Sequence, residues 1–284
     1  MISIFIMYSG DRAKPLEYTI ACLKDMEGYE DCQRTVLYDD QIDWVPEGWQ
    51  PIRVPRIGGR FCWASMWDAG VVSANHEIVW YLDSDRLLPP EYMKHVARCQ
   101  DGQFVFSTRH YMMLRAMTLE QCKNFVVGDP MEYLLGDEEH GHVRYEPRFK
   151  DMIHVPGKNA MSGNTAFTRS TYFRLGGVDR WYCGHGAFAD TDFHTTAHLA
   201  NCKFIDTEIT ELHYFHEKRH GQHVLSELEL RQLTVDNYVY YCRKWGLPRT
   251  MAESLAYESG IEKPEKYVGK RWKSLDHAPW NRSE

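Results

Sequence analysis

The sequence predicts an α/β fold: a mixed, mostly parallel sheet flanked by helices, with a helical C-terminal extension. Three observations carry that expectation. Short apolar runs of strand length alternate with segments of helical spacing. One run, Ile78-Val79-Trp80-Tyr81-Leu82, is apolar without a break, as suits a central strand buried on both faces. Acidic residues recur at strand ends, Asp39-Asp40 and Asp83-Ser84-Asp85. In open α/β sheets ligands bind beyond the carboxyl ends of the strands.

In chain order, residues 2–8 read as a buried first strand; they lack the basic leader and small-residue cleavage site of a signal peptide. Residues 15–26 read as a helix and 34–38 as a second strand. The stretch 45–55 holds three prolines and reads as loop or edge strand, and 57–60 as a turn. Phe61, Ala64, Trp67, Val71 and Val72 recur at helical spacing over 61–74. Pro89-Pro90 opens the next helix, since proline is tolerated in a first turn. Residues 104–106 form a short strand. The Gly-, His- and Pro-rich stretch 136–163 reads as a long functional loop. Residues 190–199 and 225–245 read as helices, and the tail after Gly246 as irregular. These elements divide into a unit over 1–222, with halves 1–107 and 108–222, and an extension over 223–284.

Composition narrows the class. Of 284 residues, 43% are hydrophobic and 26% charged, ordinary for a soluble globular protein. No apolar run approaches the ~20 residues that span a bilayer, so the sequence implies no transmembrane segment and a cytoplasmic location. A formal charge of -7 argues against a globally basic nucleic-acid binder, although 240–284 carries a mild excess of Lys and Arg. The eight cysteines are scattered without a Cys-x-x-Cys pair and read as reduced, buried thiols. His194 and His198 read as a partly exposed helix face, not a zinc site, and Trp63, Trp67 and Trp80 as packing.

The strongest chemical signal is Asp83-Ser84-Asp85. Two carboxylates two residues apart at a strand end can both approach one hard cation, Mn²⁺ or Mg²⁺, leaving positions for diphosphate oxygens. Other strand-end groups are Ser9-Gly10-Asp11-Arg12 and Asp39-Asp40; Arg60, after Gly58-Gly59, is placed to meet a phosphate. Turn and cap roles account for the acidic members equally well.

Downstream run Met161-Ser-Gly163-Asn164-Thr-Ala-Phe-Thr-Arg-Ser170, then Leu175-Gly-Gly-Val-Asp179, then Gly184-His185-Gly-Ala-Phe-Ala189-Asp190-Thr-Asp192, then Leu212-His213-Tyr-Phe-His216. With Asp-x-Asp, in this order over roughly 1–220, they resemble the GT-A-fold glycosyltransferases, especially family 2 and the polypeptide N-acetylgalactosaminyl- and galactosyltransferases. The resemblance implies a GT-A fold and a metal-dependent, inverting transfer of sugar from a nucleotide-sugar, a UDP-sugar by preference, to an acceptor hydroxyl. It implies Asp83, Asp85 and His213 as ligands of Mn²⁺ or Mg²⁺, with His216 the alternative histidine. Asp190 matches the general base and Asp192 is the fallback. Ala189 stands where the family has Glu, and His185 where it often has Trp. Ser9, Asp11, Arg12, Asp39, Asp40, Arg60 and Ser84 fall on the donor side; Gly163, Asn164, Trp181, His185 and Asp192 fall on the acceptor side. A glycan, a lipid carrier, a protein side chain and a hydroxymethylated DNA base remain open as acceptors. A sugar nucleotidyltransferase is the nearest competing enzyme, but the loop after the first strand is poor in the glycine it would need. A non-catalytic nucleotide- or carbohydrate-binding module is the third reading.

Overall fold

The computed structural model describes residues 1–8, 13–39, 44–56, 62–128, 143–145, 163–182, 188–214 and 226–276. Among these the chain runs β1 (Ile2–Tyr8), α1 (Ala13–Leu23), β2 (Gln33–Tyr38), β3 (Gln50–Arg53), α2 (Trp63–Ser73), β4 (Ile78–Asp83), β5 (Arg86–Leu87) and α3 (Tyr92–Val96). It continues through β6 (Gln103–Phe106), β7 (His110–Met113), α4 (Leu119–Val127), β8 (Val143–Tyr145), β9 (Asn164–Thr168), α5 (Arg169–Arg174) and α6 (Ala189–Leu199). Then follow β10 (Lys203–Asp206), β11 (Glu211–His213), α7 (Glu227–Lys244), α8 (Arg249–Glu258) and α9 (Pro264–Ser274).

The main sheet has seven strands in the order β10-β6-β9-β4-β1-β2-β3. It is mixed and mostly parallel, as expected: β9 runs antiparallel to both β4 and β6, and the other pairings are parallel. Side chains alternate across it. Phe5, Met7, Val79 and Tyr81 enter a core under α2, α6 and α7; Ile4, Ile6, Trp80 and Leu82 enter the core on the opposite face. This two-sided burial explains why β1 and β4 are apolar without alternation. Gly70 in α2 marks the closest approach of helix to sheet, since a Cβ there would lie 2.8 Å from the Phe5 ring.

A second sheet, β5-β11-β7-β8, stands at the carboxyl end of β4. Its strands are too short for periodicity to show in the sequence. Two further differences concern helices. Pro89-Pro90 lies in a turn, and α3 starts at Tyr92, whose N–H donates to Pro89 O at 3.1 Å. The tail after Gly246 is regular: α8 and α9 pack through Ala252, Ala256 and Val268. Small residues let helices approach closely but leave an apolar stripe too thin to read as amphipathic. His194 is also wholly buried, packed on the Phe204 ring at 4.6 Å, where an exposed face was expected. None of the described helices is long and apolar enough to cross a membrane.

Candidate active site

The site grows from the end of β4. Residues two apart on a strand share a face, so Asp83 follows Tyr81 on the α2/α6 side, and the Tyr81 hydroxyl donates to Asp83 Oδ1 at 2.6 Å. The Asp83 N–H donates to Gly163 O at 2.8 Å, tying the strand end to the entry of β9. The chain then turns through Ser84 and Asp85 into β5, which pairs antiparallel with β11 so that Arg86 faces His213. Directly opposed residues project from the same face. The Tyr214 N–H donates to Asp85 O at 2.8 Å, and His213 Nε2 lies 3.4 Å from Asp85 Oδ2. A histidine 128 residues downstream of Asp85 thus reaches it through one two-residue strand pairing.

Behind this pair lies a buried charge cluster that the sequence did not disclose. Arg86 Nη1 donates to Glu211 Oε1 at 3.0 Å and also meets the His110 ring. Its guanidinium lies 3.5 Å from Asp85 and 3.8 Å from Asp83. Burial works against its charge, but Glu211, Asp85 and Asp83 outweigh burial and hold its pKa above the ordinary arginine value. Asn164 Nδ2 donates to Glu211 Oε2 at 3.0 Å while its Oδ1 accepts from Trp80 Nε1 at 2.8 Å. Asn164, expected on the acceptor side, therefore spends both ends of its amide inside the protein and fixes Glu211. Gly163, φ +83°, lines the same cluster; a Cβ there would lie 2.5 Å from Arg86 Nε.

Asp190 and Asp192 open α6. Phe188, just before the helix, has φ 55°, a left-handed conformation costly for a bulky residue and frequent at functional sites. Asp190 is half-buried and accepts from the Thr191 N–H at 2.9 Å. Burial first, then the charges of Asp83 and Asp190, hold the Tyr81 phenol well above its ordinary pKa. Asp192 turns the other way. It accepts from Lys244 Nζ at 2.6 Å and Trp245 Nε1 at 2.7 Å, at the end of α7. Burial raises its pKa, with Lys244 and Trp245 opposing. Its carboxylate ties α6 to the end of α7. Trp181 is 49% exposed, with one face stacked on Tyr240 at 4.8 Å.

Of the residues expected on the donor side, Asp39 directly follows β2 and accepts from Arg56 Nε at 2.8 Å. Ser84 is buried, and its carbonyl accepts from Thr19 on α1 at 3.0 Å. Ser9, Asp11, Arg12, Asp40, Arg60, His185 and His216 lie outside the described residues. Among the described residues no three His, Cys, Asp or Glu side chains gather closely enough to hold a metal ion unaided. Of the residues missed by sequence reading, Tyr81 and Glu211 each stand two positions before a predicted site residue, Asp83 and His213, the same-face spacing of strands; Arg86 and His110 lack that signal.

No family model matches the sequence, and no curated protein matches it. Solved structures do match. A mannosyltransferase, PcManGT from Pyrobaculum calidifontis, in complex with GDP-Man and Mn²⁺, aligns over 100% of this chain and 76% of its own, at TM-score 0.50 and 14% identity. GalNAc-T7 with UDP, GalNAc and Mn²⁺ aligns over 98% of this chain and 58% of its own, at 0.53 and 10%. TarS from S. aureus, in complex with UDP-GlcNAc, aligns over 99% of this chain and 91% of its own, at 0.53 and 10%. The fold is GT-A. In this GT-A fold the Asp83–Asp85 turn leaves the carboxyl end of a central strand, where open α/β sheets bind ligands.

Proposed function

We propose that this chain is a glycosyltransferase that takes its sugar from a nucleotide-sugar, a UDP-sugar by preference, with a divalent cation on Asp83, Asp85 and His213. The supporting observation is the convergence of β4 and β11: Asp85 and His213 meet at 3.4 Å, with Asp83 at the same strand end. Proteins of the same fold carry GDP-Man with Mn²⁺, or UDP with GalNAc and Mn²⁺. Carboxylate oxygens with one imidazole suit Mn²⁺ or Mg²⁺. The protein brings only part of a coordination shell, which leaves positions for diphosphate oxygens and water.

When bound, the cation would supply positive charge against the departing nucleoside diphosphate. The chain's own groups do the rest. The Tyr81 hydroxyl and the Gly163 carbonyl hold Asp83 from its side chain and its backbone. Asp190, half-buried at the start of α6, takes the proton of the acceptor hydroxyl. One base opposite the leaving group makes the transfer a single displacement with inversion. The acceptor is a hydroxyl compound, with a glycan, a lipid carrier, a protein and a modified DNA base all compatible with that chemistry.

The test is UDP binding by isothermal titration with and without Mn²⁺, beside hydrolysis or transfer from a panel of UDP-sugars. Asp83→Asn and Asp85→Asn are expected to weaken Mn²⁺-dependent UDP binding by about tenfold or more, at least the loss of a supporting partner. If both variants bind UDP as the wild type does in Mn²⁺, the metal reading is wrong; UDP binding without any turnover would favour a binding module.

A further inference from the structure

A cation site needs negative charge, yet a guanidinium sits inside this one. Arg86 follows Asp85 directly and reaches three carboxylates, Glu211 at 3.0 Å, Asp85 at 3.5 Å and Asp83 at 3.8 Å. Only the contact with Glu211 is a hydrogen bond; the other two are charge contacts slightly beyond that range. The guanidinium is held in place on several sides. His110 touches Nη1, and a Cβ on Gly163 would stand 2.5 Å from Nε and Nη2. Glu211 is itself fixed, through Asn164 to Trp80. Three carboxylates and one guanidinium leave two net negative charges, equal and opposite to the charge of one divalent cation.

We propose that Arg86 is a positioning residue that competes with the metal for Asp83 and Asp85, and that Glu211 sets the strength of that competition by drawing the guanidinium toward itself. The proposal rests on the reading of Asp83 and Asp85 as cation ligands. Charges within 4 Å in a buried site interact strongly, so Arg86 both keeps the carboxylates from repelling one another in the empty site and weakens metal binding there. Metal affinity then depends on the phosphate oxygens that a nucleotide adds. By linkage, the nucleotide and the metal favour each other's binding equally. The cation is thus held firmly only with the nucleotide and is free to leave with it.

The probe is Mn²⁺ alone, then Mn²⁺ with UDP, titrated calorimetrically into the full chain. Glu211→Gln is isosteric but no longer balances Arg86; its Mn²⁺ affinity is expected to fall by about tenfold, the scale on which close charges couple. Arg86→Met removes the competitor, so Mn²⁺ alone is expected to bind about tenfold more tightly, with a smaller gain from UDP. The double variant Arg86→Met/Glu211→Gln is expected to bind Mn²⁺ at least as tightly as the wild type, because Glu211 acts through Arg86. A double variant as weak as Glu211→Gln would make Glu211 a structural support and overturn the proposal, as would weaker binding by Arg86→Met. Should Arg86→Met fail to fold, Glu211→Gln decides alone, and unchanged Mn²⁺ affinity in it overturns the proposal. Mn²⁺ binding indifferent to Asp83→Asn and Asp85→Asn is a separate outcome; it removes the metal reading itself and the proposal with it.

Discussion

Two positions apart at the start of α6, Asp190 and Asp192 have opposite surroundings. Asp190 is half-buried and accepts from the Thr191 N–H, whereas Asp192 is buried against Lys244 and Trp245. Asparagine keeps the shape of each but cannot take a proton. Asp190→Asn is expected to lose ~10²–10⁴-fold in transfer rate with UDP affinity retained, the signature of a lost general base. Asp192→Asn is expected to keep the rate within about tenfold and to lower the melting temperature instead, because it weakens a charge-assisted contact. Transfer assays beside thermal unfolding read both, and the reverse pattern would move the base two residues along. The placement of Asp83 and Asp85 at a strand end was legible in the sequence because it is local: two carboxylates after a buried strand. Arg86 and Glu211 were not, because they meet across 125 positions through a strand pairing that no periodicity shows.

The junction of α6 with the end of α7 turns on Lys244, which donates to Asp179 at 2.9 Å and Asp192 at 2.6 Å. Folding raises the Asp192 pKa, through burial first, so the native state holds its proton more tightly than the unfolded chain does. That group's contribution is present at low pH and declines as pH rises through the raised value. Asp179 is the reverse: burial works against its charge, but the Trp181 N–H, Tyr240 and Lys244 outweigh it and depress the pKa. Its contribution is present above the ordinary 3.8 and is lost as pH falls through the depressed value. Lys244 lowers both. Lys244→Met is therefore expected to raise both and to cost about 3 kcal/mol near pH 7.5, the lower end of the range for breaking a buried pair. The loss should shrink as pH falls toward 4 and Asp192, the carboxylate with the raised pKa, takes up its proton. Urea unfolding at the two pH values tests this; an equal loss at both would mean that Lys244 acts by packing. The long helix was readable from its periodicity, and its capping box, Ser226 with Glu229, matches a recognisable start signal. The helices that follow escaped because alanines make their contacts.

At the scale of the whole molecule, the apolar alternation and the acidic strand ends carried the α/β sheet, while the small sheet that completes the site depended on pairings between short segments far apart in sequence. The C-terminal helices share an apolar core with the main sheet. Val235, Val239, Tyr240, Ala252 and Val268 lie in the same apolar core as Phe5, Val79, Tyr81 and Phe167 from the main sheet. Phe188, at the entry to α6, stacks on Tyr238 of α7 at 4.8 Å, and Thr195 shares a hydrogen bond with Tyr241 at 2.9 Å. The consequence is measurable. Val239 is 1% exposed, and Val239→Ala is expected to cost about 2 kcal/mol from lost burial and the cavity left behind. If sheet and extension unfold together, far-ultraviolet dichroism and tryptophan fluorescence should report one coincident transition, and the variant should shift all of it. Independent units would instead give two transitions, with the α7 substitution moving only the helical one. That result would detach α7 from the core that supports Asp190 and Tyr81.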